Sequence, residues 1–79
     1  MIKEFDRVIL TTDMPENNLQ KGDIGTVVMM YQNGAGYEVE FITLGGKTIA
    51  VSTLLAAQVR PIKNSEIAHV REIPELIDA

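Results

Sequence analysis

Enzymatic chemistry starts from nucleophiles, titratable groups and metal ligands, and this chain of 79 residues is sparing with all three. It has no cysteine and one histidine, His69, so no thiolate is on hand as nucleophile or metal ligand, and a single imidazole is not ligand spacing. Ser52 and Ser65 have no base near them in the sequence. A serine triad built from Ser52, His69 and Asp23 needs three distant segments to converge, and their spacing does not favour it. Two of the close carboxylate pairs bear weighing, Asp13 with Glu16 around Pro15, and Glu38 with Glu40. Either pair could hold a hard cation, yet a solvated turn and a water-facing strand account for them without one. We therefore expect no catalysis, no metal, no cofactor and no small-molecule substrate.

Recognition is the other chemistry to weigh. Proline-rich ligands need an aromatic-lined groove, and the chain has no Trp, two Tyr and two Phe. With Phe5 and Phe41 expected in the core, Tyr31 and Tyr37 are what remains. Nucleic-acid binders concentrate Lys and Arg on one face to neutralise phosphates. Here seven bases are scattered singly and the net charge is −4, so nucleic acid is not the expected partner. The acidity is uneven: residues 64–79 hold Glu66, Glu72, Glu75 and Asp78 against Arg71 alone. Candidate partner-contacting residues are Tyr31, Glu38 and Glu40 on the sheet and Ile67, Val70 and Ile73 in the tail.

The elements that must position these groups read as strands. Residues 5–11 open one, with Val8, Ile9 and Leu10 apolar. A loop of turn formers follows over residues 12–18, and Leu19 returns it to the core. Gly22 and Gly25 then bracket Asp23 and Ile24 in a sharp turn, glycine being free to take positive φ or to let other groups approach closely. Residues 26–31 form a nearly continuous apolar run, as in a strand covered on both faces. Asn33-Gly34 is a strong hairpin signal. Beyond it, residues 37–42 alternate strictly, with Tyr37, Val39 and Phe41 inward and Glu38 and Glu40 outward. Gly45-Gly46 makes a second turn into a strand over residues 48–53, with Ile49 and Val51 expected inward. Residues 54–58 suit a single 3-10 turn, and residues 59–62 a short last strand placed at an edge by Pro61.

Five short strands with a helical turn before the last describe an all-β fold, a small SH3-like barrel over residues 1–63. An OB-like barrel is the alternative, but it needs a helix where the Gly45-Gly46 turn leaves no room. The tail, residues 64–79, is a separate acidic segment. Asn64 or Ser65 could cap a short helix in it, with Ile67, Val70 and Ile73 near one face and Pro74 ending it. Its default role is to fold back over an open barrel edge or bottom; fraying in solution is one alternative, and a partner-binding or self-association arm is the sharper one. Charges at residues 3, 4 and 6 occupy the place of a signal peptide's apolar core, and no apolar run has the length of a membrane span, so the expected location is the cytoplasm.

Several runs carry a resemblance: Arg7-Val8-Ile9-Leu10, the Pro15-Glu16 loop, Leu19, Lys21 through Val28, Tyr37 through Phe41, and Gln58-Val59-Arg60-Pro61. Together, across about residues 5–62, they resemble a bacterial family of small proteins catalogued as domain of unknown function 4926. The resemblance implies the barrel and stand-alone bacterial proteins, some beside putative toxin genes; it implies no catalytic residues. Residues 22–28 are also similar to the turn of KOW-type barrels. The expected function is a non-catalytic protein-interaction module, of the antitoxin or immunity type, that covers a basic partner. A homo-oligomeric structural protein, associating through the Met29-Met30-Tyr31 strand or the tail, and a KOW-like nucleic-acid-associated barrel are the alternatives.

Overall fold

Strand follows strand because β-branched and aromatic residues recur with a two-residue period and are broken by glycine, asparagine and proline. The computed structural model describes residues 1–74. Its five strands are β1 (Arg7–Leu10), β2 (Ile24–Tyr31), β3 (Gly36–Ile42), β4 (Thr48–Leu55) and β5 (Val59–Pro61), with 3-10 turns at Pro15–Asn17 and Ala56–Gln58. All neighbours are antiparallel in one sheet of order β4-β3-β2-β1-β5. That order is the SH3-like one, and the barrel is left open between its two edges, β4 and β5.

Inside, Val8, Leu10, Leu19, Val27, Tyr37, Val39, Phe41, Leu54 and Val59 form one apolar cluster. Leu19 anchors its loop there as expected, and the alternation of β3 places Tyr37, Val39 and Phe41 inward as expected. Gly25 lies inside β2 rather than at the turn, paired with Val8 across the ladder. A Cβ there would stand 2.6 Å from Val39 Cγ1 and 2.8 Å from Phe41 Cε1. The two glycines thus do different work: Gly22 supplies a φ of +99° in open space, and Gly25 supplies room for the core.

Several faces differ from the sequence expectation, and most differences trace to two bulges. One between Val27 and Met29 makes Val28 the extra residue of β2, so the strand is not covered on both faces. Met30 packs against the core while Val28, Met29 and Tyr31 are exposed. The other, between Phe41 and Ile42, lies opposite Ile49 and shifts the parity of β4. Ala50, Ser52 and Leu54 then pair with the inward residues Phe41, Val39 and Tyr37, and Val51 faces out. Ile49 still packs against the core, half-buried. The β2–β3 hairpin places positive φ at Gln32 (+46°) and Asn33 (+58°) before Gly34 (+103°), so its turn is centred one residue earlier than Asn33-Gly34.

Phe5 is not core. A tight turn bonds Asp6 N–H to the Lys3 carbonyl and Lys3 N–H to the Asp6 carboxylate. It holds Phe5 at φ +71° and rotates its ring outward, 75% exposed. Ile2 packs against the cluster instead. Nor is the described tail a helix: residues 66–73 run without helical structure. A single turn of apolar residues gains too little to offset helix nucleation, and the tail's polar side chains find partners on the barrel instead.

Candidate functional site

The site is built outward from the loop between β1 and β2. Gly22 N–H donates to the Leu10 carbonyl and Leu10 N–H to the Asp23 carbonyl, both at 2.8 Å. The Asp23 carboxylate closes the turn by accepting the Gln20 N–H at 2.8 Å, and Asp13 accepts the Lys21 N–H at 2.9 Å. Asp13 is thereby a loop anchor. Among the described residues no three of His, Cys, Asp or Glu gather as a metal would need.

Onto this turn the tail brings Arg71. Its Nε donates to Asp23 Oδ1 at 2.9 Å, one terminal nitrogen pairs with Asp23 Oδ2, and the same nitrogen donates to the Asn18 carbonyl at 2.9 Å. The fork is bidentate and partly shielded, with both side chains a quarter exposed or less. The hydrogen bonds to Asp23 push the Arg71 guanidinium further above its ordinary value than partial burial lowers it.

A second clamp holds the near end of the tail. Arg60 in β5 donates to both oxygens of Glu66, at 3.0 and 2.5 Å, and the Lys63 N–H adds a bond of 2.7 Å to the same carboxylate. The Arg60 and Lys63 hydrogen bonds bring Glu66 from near 4.5 to about 2. A carboxyl lowered in the folded state contributes stability above its unfolded value and loses it as the pH falls through the folded one. The near end of the tail is therefore expected to loosen as the pH falls from about 4.5 to about 2. Chemical-shift titration of the Ile67 methyls should show that step, and Glu66→Gln should abolish it.

Between the clamps the tail is a strap. Ile67 and Val70 are 94% and 70% exposed on it, and Ile73, half-buried, turns toward the barrel. Under the strap runs a groove of about 800 Å³, lined by Ile9, Ile24, Phe41, Ile49, Ile62 and Ile73 among others. Ile9, on the opposite side of β1 from Val8 and Leu10, is 7% exposed beneath it.

The sheet residues expected to meet a partner form a separate cluster. Tyr31 Oη donates to Glu38 Oε1 at 3.2 Å, Thr53 Oγ1 donates to the same oxygen at 2.6 Å, and Thr48 Oγ1 donates to Glu40 Oε2 at 3.2 Å. The Glu38 carboxylate in turn raises the Tyr31 hydroxyl above its ordinary value, chiefly through that hydrogen bond. So Tyr31, Glu38 and Glu40 share the outer face, whereas Ile67 and Val70 lie on the strap and Ile73 beneath it. The triad reading finds no geometry: Ser52 is buried on the core side of β4, Asp23 is engaged by Arg71 and Gln20, and His69 is exposed on the strap. Sequence reasoning missed both clamps. The one available signal was Arg71, a lone base in an acidic segment.

No curated protein and no solved structure matches the chain. A family model described as domain of unknown function (DUF4926) matches residues 4–61. Each clamp therefore joins a residue inside the match, Arg60 or Asp23, to one beyond it, Glu66 or Arg71. By a match that covers β1 through β5, the chain belongs to the DUF4926 family.

Proposed function

We propose that the protein is a non-catalytic protein-interaction module whose contact surface is the clamped strap, in the manner of an antitoxin or immunity protein. One observation carries the reading: Ile67 and Val70 are 94% and 70% exposed on a segment pinned at both ends by arginine–carboxylate pairs. An apolar ridge held in one shape meets a partner with less ordering entropy to lose than a free tail. The net charge of −4 favours a basic partner, which it steers in by long-range attraction. The cluster of Glu38 and Glu40, oriented by Tyr31, Thr53 and Thr48, supplies further negative charge on the outer face. The absence of cysteine suits the reducing cytoplasm, where we place the protein. No helix among the described residues is long and apolar enough to cross a membrane.

The double substitution Ile67→Asp with Val70→Asp tests this. Both side chains are largely exposed, so stability should change by no more than about 0.5 kcal/mol per site. Used as bait in a host lysate beside the wild type, the variant should lose one stoichiometric basic protein that the wild type retains. Equal retention by both baits would refute the strap as the contact surface, and the absence of any basic partner would refute the antitoxin-type role.

A further inference from the structure

Away from the strap, one long strand edge stands open. β4 is a terminal strand of the sheet, and its eight residues, Thr-Ile-Ala-Val-Ser-Thr-Leu-Leu, hold no charge and no proline. Natural edges are usually blunted by lysine, proline or a covering segment. The other edge is blunted in that way: β5 has three residues, ends in Pro61 and continues into the clamped tail.

The direction of the open hydrogen-bonding groups follows from one contact. Leu55 N–H donates to Gln58 Oε1 at 2.8 Å, away from β3. In an antiparallel strand the N–H and C=O of one residue point the same way and alternate along the chain. The register with β3 is unbroken from Ala50 to Leu55, so Thr53 and Val51 also present both backbone groups outward. Among the described residues, no strand lies beside them and no backbone bond outside the ladder uses them.

We propose that β4 pairs with β4 of a second copy, antiparallel about a twofold axis at Ser52, to make a continuous ten-stranded sheet. This register sets Val51 against Thr53 of the second copy and the reverse, so that all the outward groups of both residues pair and the Gln58 cap on Leu55 stays in place. Ser52 meets its own counterpart as a close non-hydrogen-bonded pair, which its small side chain permits. Leu55 and Val51, 68% and 51% exposed, gain cover from the neighbouring strand.

Self-complementarity selects a second copy as the occupant, since a twofold axis at Ser52 lets Val51 and Thr53 of each edge satisfy those of the other, and charge does not oppose the contact. Two chains of net charge −4 repel over most of their surfaces, and β4 brings no charged side chain to the junction. The nearest outward carboxylates, Glu38 of one copy and Glu40 of the other, sit on β3 in line across the junction and are separated by three strand spacings, roughly 14 Å, which is beyond the screening length of about 8–10 Å. Because the partner lies on the open edge and the β5 edge is blunted, association stops at two.

Sedimentation equilibrium on the full chain tests the proposal. The expected mass at high micromolar concentration is twice the 8.7 kDa of one chain. Val51→Lys should weaken dimerisation by about tenfold or more, while Ile67→Asp with Val70→Asp leaves it intact, which separates this interface from the strap. Amide exchange on the wild type gives an independent readout: Val51 and Thr53 should be protected when concentrated and lose protection on dilution. A wild-type chain that stays at 8.7 kDa with both amides unprotected would overturn the proposal and leave the edge to an extended segment of another protein. A Val51→Lys chain that dimerises as well as the wild type would overturn it too.

Discussion

Gly25→Ala is expected to lower the thermal midpoint by roughly 10 °C, from a loss of about 1–3 kcal/mol through overpacking. The effect is large because nothing near the new methyl can give way. It would meet Val39 Cγ1 at 2.6 Å and Phe41 Cε1 at 2.8 Å, and those side chains are 0% and 2% exposed, held in the middle of the core. A domain of this size has only about 3–5 kcal/mol of net stability to lose, so one methyl group removes a large part of it. Thermal unfolding followed by far-ultraviolet circular dichroism measures the shift. Val39→Ala in the same chain removes one of the two clashing groups, so the double variant should be less destabilised than the sum of the singles. Gly22→Ala is the contrasting case. The space there is open and φ is +99°, so the loss comes from backbone conformation alone, about 1 kcal/mol, and should not respond to Val39→Ala.

Asp23→Ala should have the second largest effect, and it should fall on two parts of the molecule at once. The carboxylate accepts the Gln20 N–H that closes the turn before β2 and holds Arg71 of the tail. Hydrogen bonds to a charged group contribute about 1.5–3 kcal/mol when shielded, and partial exposure of this pair places the expected loss near the lower end, about 2 kcal/mol. Arg71→Ala breaks the tail contact and the bond to the Asn18 carbonyl but leaves the turn closed, so it should cost less. Urea denaturation of the two single variants and the double variant closes the cycle, and a coupling of about 1 kcal/mol or more between them is the signature of the clamp. Either single variant should also speed proteolysis within residues 67–74, because the far end of the strap is then free. A strap equally resistant in both would mean that the clamp does not hold it.

How much of this was legible beforehand depends on the range of the interaction. The alternation of Tyr37 through Ile42 named the inward residues of β3, since side-chain period is a local property of an extended backbone. The same reasoning held for Ile49, which packs against the core, but failed for Val51, because a bulge at Ile49 adds one residue and reverses the parity beyond it, and no residue type nearby announces it. Hydrophobicity alone places Phe5 inward, but the turn made by Asp6 and Lys3 sends Ile2 to the core in its place. The outer-face cluster could be placed from sequence as far as Glu38 and Glu40. Their hydroxyl donors, Tyr31 and Thr53, lie seven and fifteen residues away, and only strand pairing brings them across.

By itself, the sequence determined the class of the fold, the order of its strands along the chain, most of the core and the poverty of catalytic groups, because each of these follows from composition and from periodicity within a few residues. Which strand edge stays open, which apolar residues remain in water and how the tail is held were decided by tertiary structure. Asp23 and Arg71 are 48 residues apart, and a pairing at that distance has no local signature. It forms only after the sheet has placed the turn beside the path of the tail, where partial shielding from water makes the ion pair strong enough to hold the strap.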